Sequence, residues 1–336
     1  REGIQVGTAI ATLVCTGHGN GGNDPAPADG ATPPARAKAP VQVRSFWGVG
    51  KLKSLAQCDG PSGPDWQSIT PVQALGRVFA PRATAAGYLD WPRLPELFPV
   101  SYPGVKTSRD AGLISIERTE LEERMKRYFD PEVADASIAQ EIPALMQSSG
   151  RFNAVQERKE AIHHGKTAGN FVRYCYRPMD MRWLFWYPIG KLLDEKRPDY
   201  APQAFPGNLW LFTTGRTRKD VPEPAFATHL LADLNLQDSG TRGIPLYLSD
   251  EAQASTDPTH WRENLSAKAA QYLHEIQATA KDLFFHSLAV TQSLGYRTEN
   301  SGGLRQDWPR IPLPATRDAL LASAALGRDE AALLDT

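Results

Sequence analysis

The sequence predicts an α+β fold, with a mixed β region in the middle, flanking helices and a helical C-terminal part. Three observations carry that expectation. Aromatic and β-branched runs of strand length gather between Asn170 and Leu248. After Ser266, apolar residues recur at three- and four-residue intervals, the spacing of one helix face. The 336 residues also include 27 Gly and 27 Pro, which favours many turns over a simple helical bundle.

Taken in order, Ile4 to Val14 (IQVGTAIATLV) is apolar and β-branched, with the length and flanks of a buried strand. Residues 16–40 are mostly Gly, Pro, Ala, Asn and Asp. They hold too little apolar surface to order themselves, so a flexible loop is expected. Val41 to Trp47 alternates and reads as the partner strand of a long-tipped hairpin. Lys51 to Ala56 follows as a short helix. Pro61 to Pro103 repeats Pro and Trp without a period and reads as irregular. Thr119 and Glu122 have capping-box spacing, ahead of an apolar face made by Leu121, Met125, Tyr128 and Phe129. Asp130-Pro131 ends that helix, because the residue before proline disfavours helical backbone.

Asn153 to Gly165 is expected to be helical. Asn170 to Trp186 reads as strand, as do Leu209 to Thr214 and Ile244 to Leu248, with a helix near Ala225 to Leu234 between them. Ser266 to Ile276, Thr279 to Leu294 and Thr316 to Leu334 close the chain as helices, the last one around Gly327. The expected organisation is a first region over 1–60, a connecting irregular and helical segment over 61–150, and a third region over 151–336 that ends in helices.

A chain of this length can bury a large core in one or two domains. A formal net charge of −1 gives no global signature of a nucleic-acid binder, so such a role needs a local basic face. Charge is in fact uneven: Arg151 to Asp220 holds 13 Lys/Arg against 7 Asp/Glu, whereas Glu117 to Glu141 leans acidic. Cys15, Cys58 and Cys175 lack paired spacing, which fits a reducing cytoplasm and argues against a disulfide framework or zinc site. No apolar run approaches the ~18–20 residues of a membrane span. No signal peptide is visible, and the start at Arg1 suggests a piece of a longer protein.

Few catalytic patterns are present. GHGNGG (residues 17–22) formally matches GxGxxG, but it opens onto Asn-Asp-Pro-Ala-Pro and not onto a helix that could meet a phosphate. Glu157-Arg158-Lys159 has E-x-K spacing without a preceding acidic partner and reads as a solvated helix face. His163-His164 lacks the i, i+4 spacing of a helical metal pair. The Asn/Asp-Pro-Pro-aromatic tetrapeptide of adenine-N6 methylases is absent, and it is what would hold a flipped adenine. No catalytic residue and no metal ligand is assigned.

Binding candidates are clearer. YRPMDMRWLFWYP (Tyr176 to Pro188) places two arginines and an aspartate among five aromatic residues. Arg177 and Arg182 could contact phosphate or a guanine edge, with Asp180 orienting an arginine or accepting from cytosine. The other reading is a core strand with Tyr176, Met179, Trp183 and Phe185 packed and Asp180 in a buried ion pair. In GVKTSRD, Lys106, Thr107, Ser108 and Arg109 put two cations and two hydroxyls in one turn, a set that suits phosphate oxygens. A structural turn with Arg109 paired to Asp110 is the alternative. Arg216, Arg218 and Lys219 (GRTRKD) follow a strand, in a loop that either reads bases or is simply solvated. LRQDWPRIPLP (Leu304 to Pro314) is proline-rich and extended, and reads as packing between helices.

These segments together carry a resemblance. EGIQVGTAIATLV, RSFWGVGKLKSLA, LPELFPVSYPGVKTSRD, YRPMDMRWLFW, FPGNLWLF and LRQDWPRIPLP occur in this order. In that order they resemble the C-terminal specificity region of type ISP restriction-modification enzymes and related adenine-specific DNA methylases. Met179 departs from it, standing where that family usually has phenylalanine. The resemblance implies a bacterial, cytoplasmic DNA-modifying enzyme. Residues 1–60 would be the edge of a methyltransferase core and residues 151–336 the target-recognition region. The partners would be double-stranded DNA and an upstream methyltransferase domain of the same polypeptide, with no membrane. S-adenosylmethionine would sit upstream, with ATP and Mg as well in a type ISP enzyme. A structural coupler between methylase and motor domains, which reads no DNA, is the rival implication.

Overall fold

The computed structural model describes Val41 to Leu334, except Trp47, residues 59–62, Pro71, residues 77–83, Arg218, Asp220, Ser239 and residues 250–259. The expected strand at Ile4 to Val14, the Gly/Pro tract with its GxGxxG match, and Cys15 lie outside the described residues.

The N-terminal part begins with β1 (Val41–Val43), α1 (Lys51–Ala56) and β2 (Gln67–Ile69). The α1 helix has the expected bounds, and β1 pairs antiparallel with β2 inside the stretch expected to be irregular. Then come α2 (Leu94–Leu97), β3 (Tyr102–Pro103), α3 (Asp110–Leu113), β4 (Ile114–Ser115) and α4 (Arg118–Tyr128). The α4 helix starts at Arg118 with Glu117 at the cap, and no side chain caps it. Thr119 is therefore inside the first turn and forms no capping box with Glu122, which instead receives Arg118. The expected apolar face is correct: Leu121, Met125, Tyr128 and Phe129 are all buried.

Next are α5 (Asp135–Glu141), α6 (Pro143–Met146) and α7 (Ala154–His164), the last capped by the Asn153 side chain on the N–H of Gln156. In α7 the ERK triplet is not a solvated face. Arg158 is 4% exposed and donates to the carbonyls of Tyr128, Asp130 and Val133. Glu157 is buried and accepts the backbone N–H of Lys191. Chain remote in sequence closes over a helix face whose local pattern is charged. His163 and His164 are exposed.

The aromatic segment is two strands rather than one: β5 (Asn170–Arg177) and β6 (Asp180–Trp186). Pro178 has no N–H to give a ladder, and Met179 turns the chain at φ +64°. The register runs from Asn170↔Trp186 to Arg177↔Asp180, with a bulge between Cys175 and Arg177. Met179 is 59% exposed, so it is a hairpin tip and not a core residue.

The chain continues through β7 (Trp210–Thr214), β8 (Phe226–Thr228), β9 (Leu231–Ala232), β10 (Thr241–Pro245), β11 (Tyr247–Ser249) and β12 (Trp261–Glu263). The helix expected near Ala225 to Leu234 is instead β8 and β9. Pairing of β8 with β7 and of β9 with β5 overrides the helix propensity of Ala and Leu. The helices α8 (Ala267–Glu275), α9 (Ala280–Gln292), α10 (Leu294–Glu299), α11 (Ser301–Leu304) and α12 (Arg317–Leu334) complete it. Ser266 caps α8, and Thr279 with Asp282 forms a true capping box on α9.

Two four-stranded sheets organise the fold, in the orders β4-β6-β5-β9 and β3-β10-β7-β8. The first is backed by α4 and α7, with Phe129 packed edge-on against Phe185 and Tyr187. The second is backed by α9 and α12, where Leu211, Ala227 and Ile244 meet Leu283, Phe284 and Leu288. Residues 61–150 supply strands to both sheets through β3 and β4. From β3 the chain passes directly alongside β9: Val105 pairs with Asp233, and a Cβ on Gly104 would stand 2.5 Å from the Asp233 carbonyl.

Candidate nucleic-acid interface

Arginine and aromatic rings are interleaved along the β5–β6 hairpin, around Tyr176 near its turn and around Trp183 at its middle. The Arg177 and Arg182 guanidinium carbons lie 4.0 and 4.2 Å from the centre of the Tyr176 ring. Arg118 and Arg173 flank Trp183 at 5.0 and 5.4 Å. Arg173 and Trp183 are cross-strand partners, as are Tyr174 and Arg182. Strand alternation therefore puts the two clusters on opposite faces of the hairpin. Cations held over ring faces gain about 0.5–1 kcal/mol each when exposed.

Carboxylates fix these arginines. Arg182 makes a two-pronged contact with Asp180, Nε–Oδ1 at 2.8 Å and Nη2–Oδ2 at 2.7 Å. That contact holds Asp180 below its ordinary pKa and raises Arg182. The pair is half-exposed, so the expected buried ion pair is found at the surface instead. Arg182 keeps its Nη1 without a hydrogen bond among the described residues, on a guanidinium already set in direction. Arg177 pairs with Asp233 at 2.9 Å, and Tyr174 donates its hydroxyl to the same carboxylate at 2.8 Å. Burial raises the pKa of Asp233, against the hydrogen bonds from Asn235 and Tyr174 and the charge of Arg177. Arg173 has no ion-pair partner among the described residues.

The GVKTSRD turn adjoins this hairpin through Asp110, which accepts hydroxyls from both Thr107 and Tyr176. Lys106 and Ser108 are committed to Asp194, at 2.8 and 2.9 Å, and Lys106 holds that carboxylate below its ordinary pKa. Thr107 is buried. The considered Arg109–Asp110 pair is not formed. Arg109 turns away, stacks over Phe152 at 3.3 Å and donates to the carbonyls of Thr107 and Leu192. Burial pushes its pKa down, with Asp194 opposing.

The third group sits elsewhere. Arg216 is exposed, and Lys219 pairs with Glu223. Their loop is anchored by Thr217 on the carbonyl of Leu304 and by the close approach of Gly215 to Trp308. Arg218 lies outside the described residues. In LRQDWPRIPLP, Arg310 is buried and donates to the carbonyls of Leu89 and Trp91, a packing role. The structure thus joins Arg177, Arg182 and the 106–109 turn, and anchors the 216–219 loop against a different segment. Sequence reading missed Arg118, Arg173 and Asp233. Arg173 could have been found as the residue opposite Trp183 once the segment was divided into a hairpin. Asp233 was masked by the helix expected around it.

No helix among the described residues is long and apolar enough to cross a membrane, and no metal-ligand cluster occurs among them. The family model of the type ISP C-terminal specificity domain matches residues 96–334. The chain matches no curated protein. It is similar in fold to the DrdV–DNA complex seen by cryoEM, at 22% identity and TM-score 0.54, over 71% of this chain and 23% of that one. It is also similar to a nuclease-deletion mutant of the type ISP restriction-modification enzyme LlaGI in complex with a DNA substrate mimic. There the identity is 20% and the TM-score 0.54, over 81% of this chain and 21% of that one. A third similar structure is the ATP-dependent type ISP restriction-modification enzyme LlaBIII bound to DNA. That match has 17% identity and TM-score 0.57, over 81% of this chain and 18% of that one. The chain spans about a fifth of the length of each.

Proposed function

Since this chain belongs to the type ISP C-terminal specificity domain family, we propose that it recognises a short sequence in double-stranded DNA for a restriction-modification enzyme. One observation carries the reading at the level of side chains: four arginines stand over Tyr176 and Trp183, two on each face of the β5–β6 hairpin. Arginine forks read guanine edges, and carboxylate support sets the fork before DNA arrives. The three similar solved structures each hold DNA or a DNA mimic, which supports the same partner here.

In this reading the domain presents a target adenine to an upstream adenine-specific methyltransferase core in the cytoplasm. S-adenosylmethionine, and ATP with Mg for a motor, belong to that core and motor; no step runs through them in this chain. Arg216, Arg218 and Lys219 contribute base contacts from the second sheet. A structural coupler is the second reading. Its support is that Lys106, Arg177, Arg182 and Lys219 are each already paired with a carboxylate.

Binding of cognate and scrambled duplexes separates the two. Arg182→Ala is expected to cost roughly 1–3 kcal/mol on the cognate site and relax specificity at one base pair. Equal losses on all sequences would reduce Arg182 to a phosphate contact, and no duplex binding at all would favour the coupler.

A further inference from the structure

Beside the GVKTSRD turn is a cleft of about 210 Å³ lined by Ser108, Arg109, Ser149, Arg151, Lys191 and Asp194, among others. Three segments far apart in sequence converge on it. The first is the turn itself, where Ser108 is held in left-handed backbone at φ +55°. The second is a tight two-residue turn: Ser149 and Phe152 exchange backbone hydrogen bonds at 2.8 and 3.1 Å, which leaves Gly150 and Arg151 at its tip. The third is 191–194, positioned by Glu157 on the backbone N–H of Lys191.

The charges do not balance. Asp194 is the carboxylate in the lining, and it is already held by Lys106 and Ser108. Arg109, Arg151 and Lys191 have no ion-pair partner among the described residues. Arg109 is the telling residue, because it is 8% exposed. Its Nη1 is spent on two carbonyls and its ring partner is Phe152; the charges of Asp194 and Glu157 reach it, yet neither carboxylate pairs with it directly. A buried guanidinium with no carboxylate in direct contact is costly, and an anion bound against it offsets that cost.

We propose that this cleft binds a phosphate group, and that its occupant is one phosphodiester of the DNA backbone beside the bases read by the hairpin. The identity of the occupant rests on the DNA-reading function above; the phosphate site does not. Arg109 supplies a pre-set fork, while Arg151 and Lys191 close on the remaining oxygens. The assignment moves the phosphate grip from Lys106 and Thr107, which are committed internally, to Arg109 of the same turn together with Arg151 and Lys191 from outside it.

The test uses the whole 336-residue chain. Arg151 and Lys191 are exposed, so Arg151→Ala/Lys191→Ala is expected to melt with the wild type, whereas Arg109→Ala would confuse folding with binding. Labelled duplex binding is measured against salt concentration, with inorganic phosphate and AMP as separate probes by calorimetry. The double variant is expected to weaken cognate and scrambled duplexes by the same factor. It is also expected to lower the slope of log K against log salt by about one unit, and to lose inorganic phosphate binding. Arg151→Lys should restore most of the slope. An unchanged slope and unchanged phosphate binding overturn the cleft and leave the DNA reading standing. AMP bound far more tightly than inorganic phosphate, with the duplex slope unchanged, overturns the backbone assignment in favour of a free monoester. If the wild type binds no duplex but takes inorganic phosphate and the variant does not, the phosphate site stands and the DNA reading falls.

Discussion

His286 is a side chain whose protonation the fold opposes. It is buried in α9, with Nε2 at 2.7 Å from the carbonyl of Pro312 and Nδ1 at 2.8 Å from the hydroxyl of Ser323. A carbonyl only accepts, so Nε2 carries the hydrogen and Nδ1 accepts from Ser323. Burial lowers the pKa from its ordinary 6.5, against the hydrogen bond to Pro312. The unfolded chain therefore takes up the proton first as pH falls. This contribution is full above about pH 6.5 and is lost as pH drops toward the lower folded value, by at most about 1.4 kcal/mol per pH unit. Melting temperature should fall between pH 7 and 5, and less steeply in His286→Gln; parallel profiles would show that other groups set the trend. Single residues were legible in the sequence where their chemistry is local. Arg177 and Arg182 stand out beside their aromatics. Arg158 did not, because the three carbonyls that bury it come from residues 128–133, outside its own helix.

The helices behind the second sheet pack through one missing side chain. Where α12 crosses α9, a Cβ on Gly327 would fall on the carbonyl oxygen of Phe285. Backbone cannot yield as a side-chain tip can. Gly327→Ala is thus expected to cost roughly 1–3 kcal/mol despite alanine's better helix propensity. Gly50→Ala, with nothing within 4 Å of the added carbon, should be near neutral. Denaturant midpoints of the two variants check this, and equal midpoints would mean the helices slide apart freely. The sequence showed α7, α8, α9 and α12 well, because period and capping residues are written locally. It showed β8 and β9 poorly, because short strands exist only through partners elsewhere in the chain. The hairpin lay between: its strand character was plain, and its turn at Pro178-Met179 was there to be read.

The fold class was readable from composition and periodicity, whereas the arrangement of the strands was not. Residues 61–150 read as a connecting irregular and helical segment; besides the expected helix α4, which joins the first core, they give β3 to one sheet and β4 to the other. By their contacts, Val41–Thr336 make one unit. A fragment starting at Arg151 would expose the edges of β6 and β10 that these strands pair with, and lose Leu121, Met125 and Tyr128 from the core. It should lack a cooperative melt and bind a hydrophobic dye, in contrast to the whole chain. A sharp transition with native near-ultraviolet circular dichroism in that fragment would show that the first 150 residues are an accessory. The candidate interface shares this origin. Arg151 and Lys191 meet Arg109 only after the chain has folded, so no spacing in the sequence could announce them.

The carboxylate supports under the hairpin arginines have a consequence for the inheritance of specificity. Arg182 is tied to Asp180, and Arg177 to a buried Asp233 that also serves Tyr174. Replacing either arginine alone strands an acid, and at Asp233 that acid is buried. Under the proposed DNA-reading role, a lineage changing its target at these positions would have to change arginine and aspartate together, through intermediates less fit than either end. Arg173 carries no such tie. Drift in the recognised sequence would therefore begin there, with the hairpin tip the last part to change.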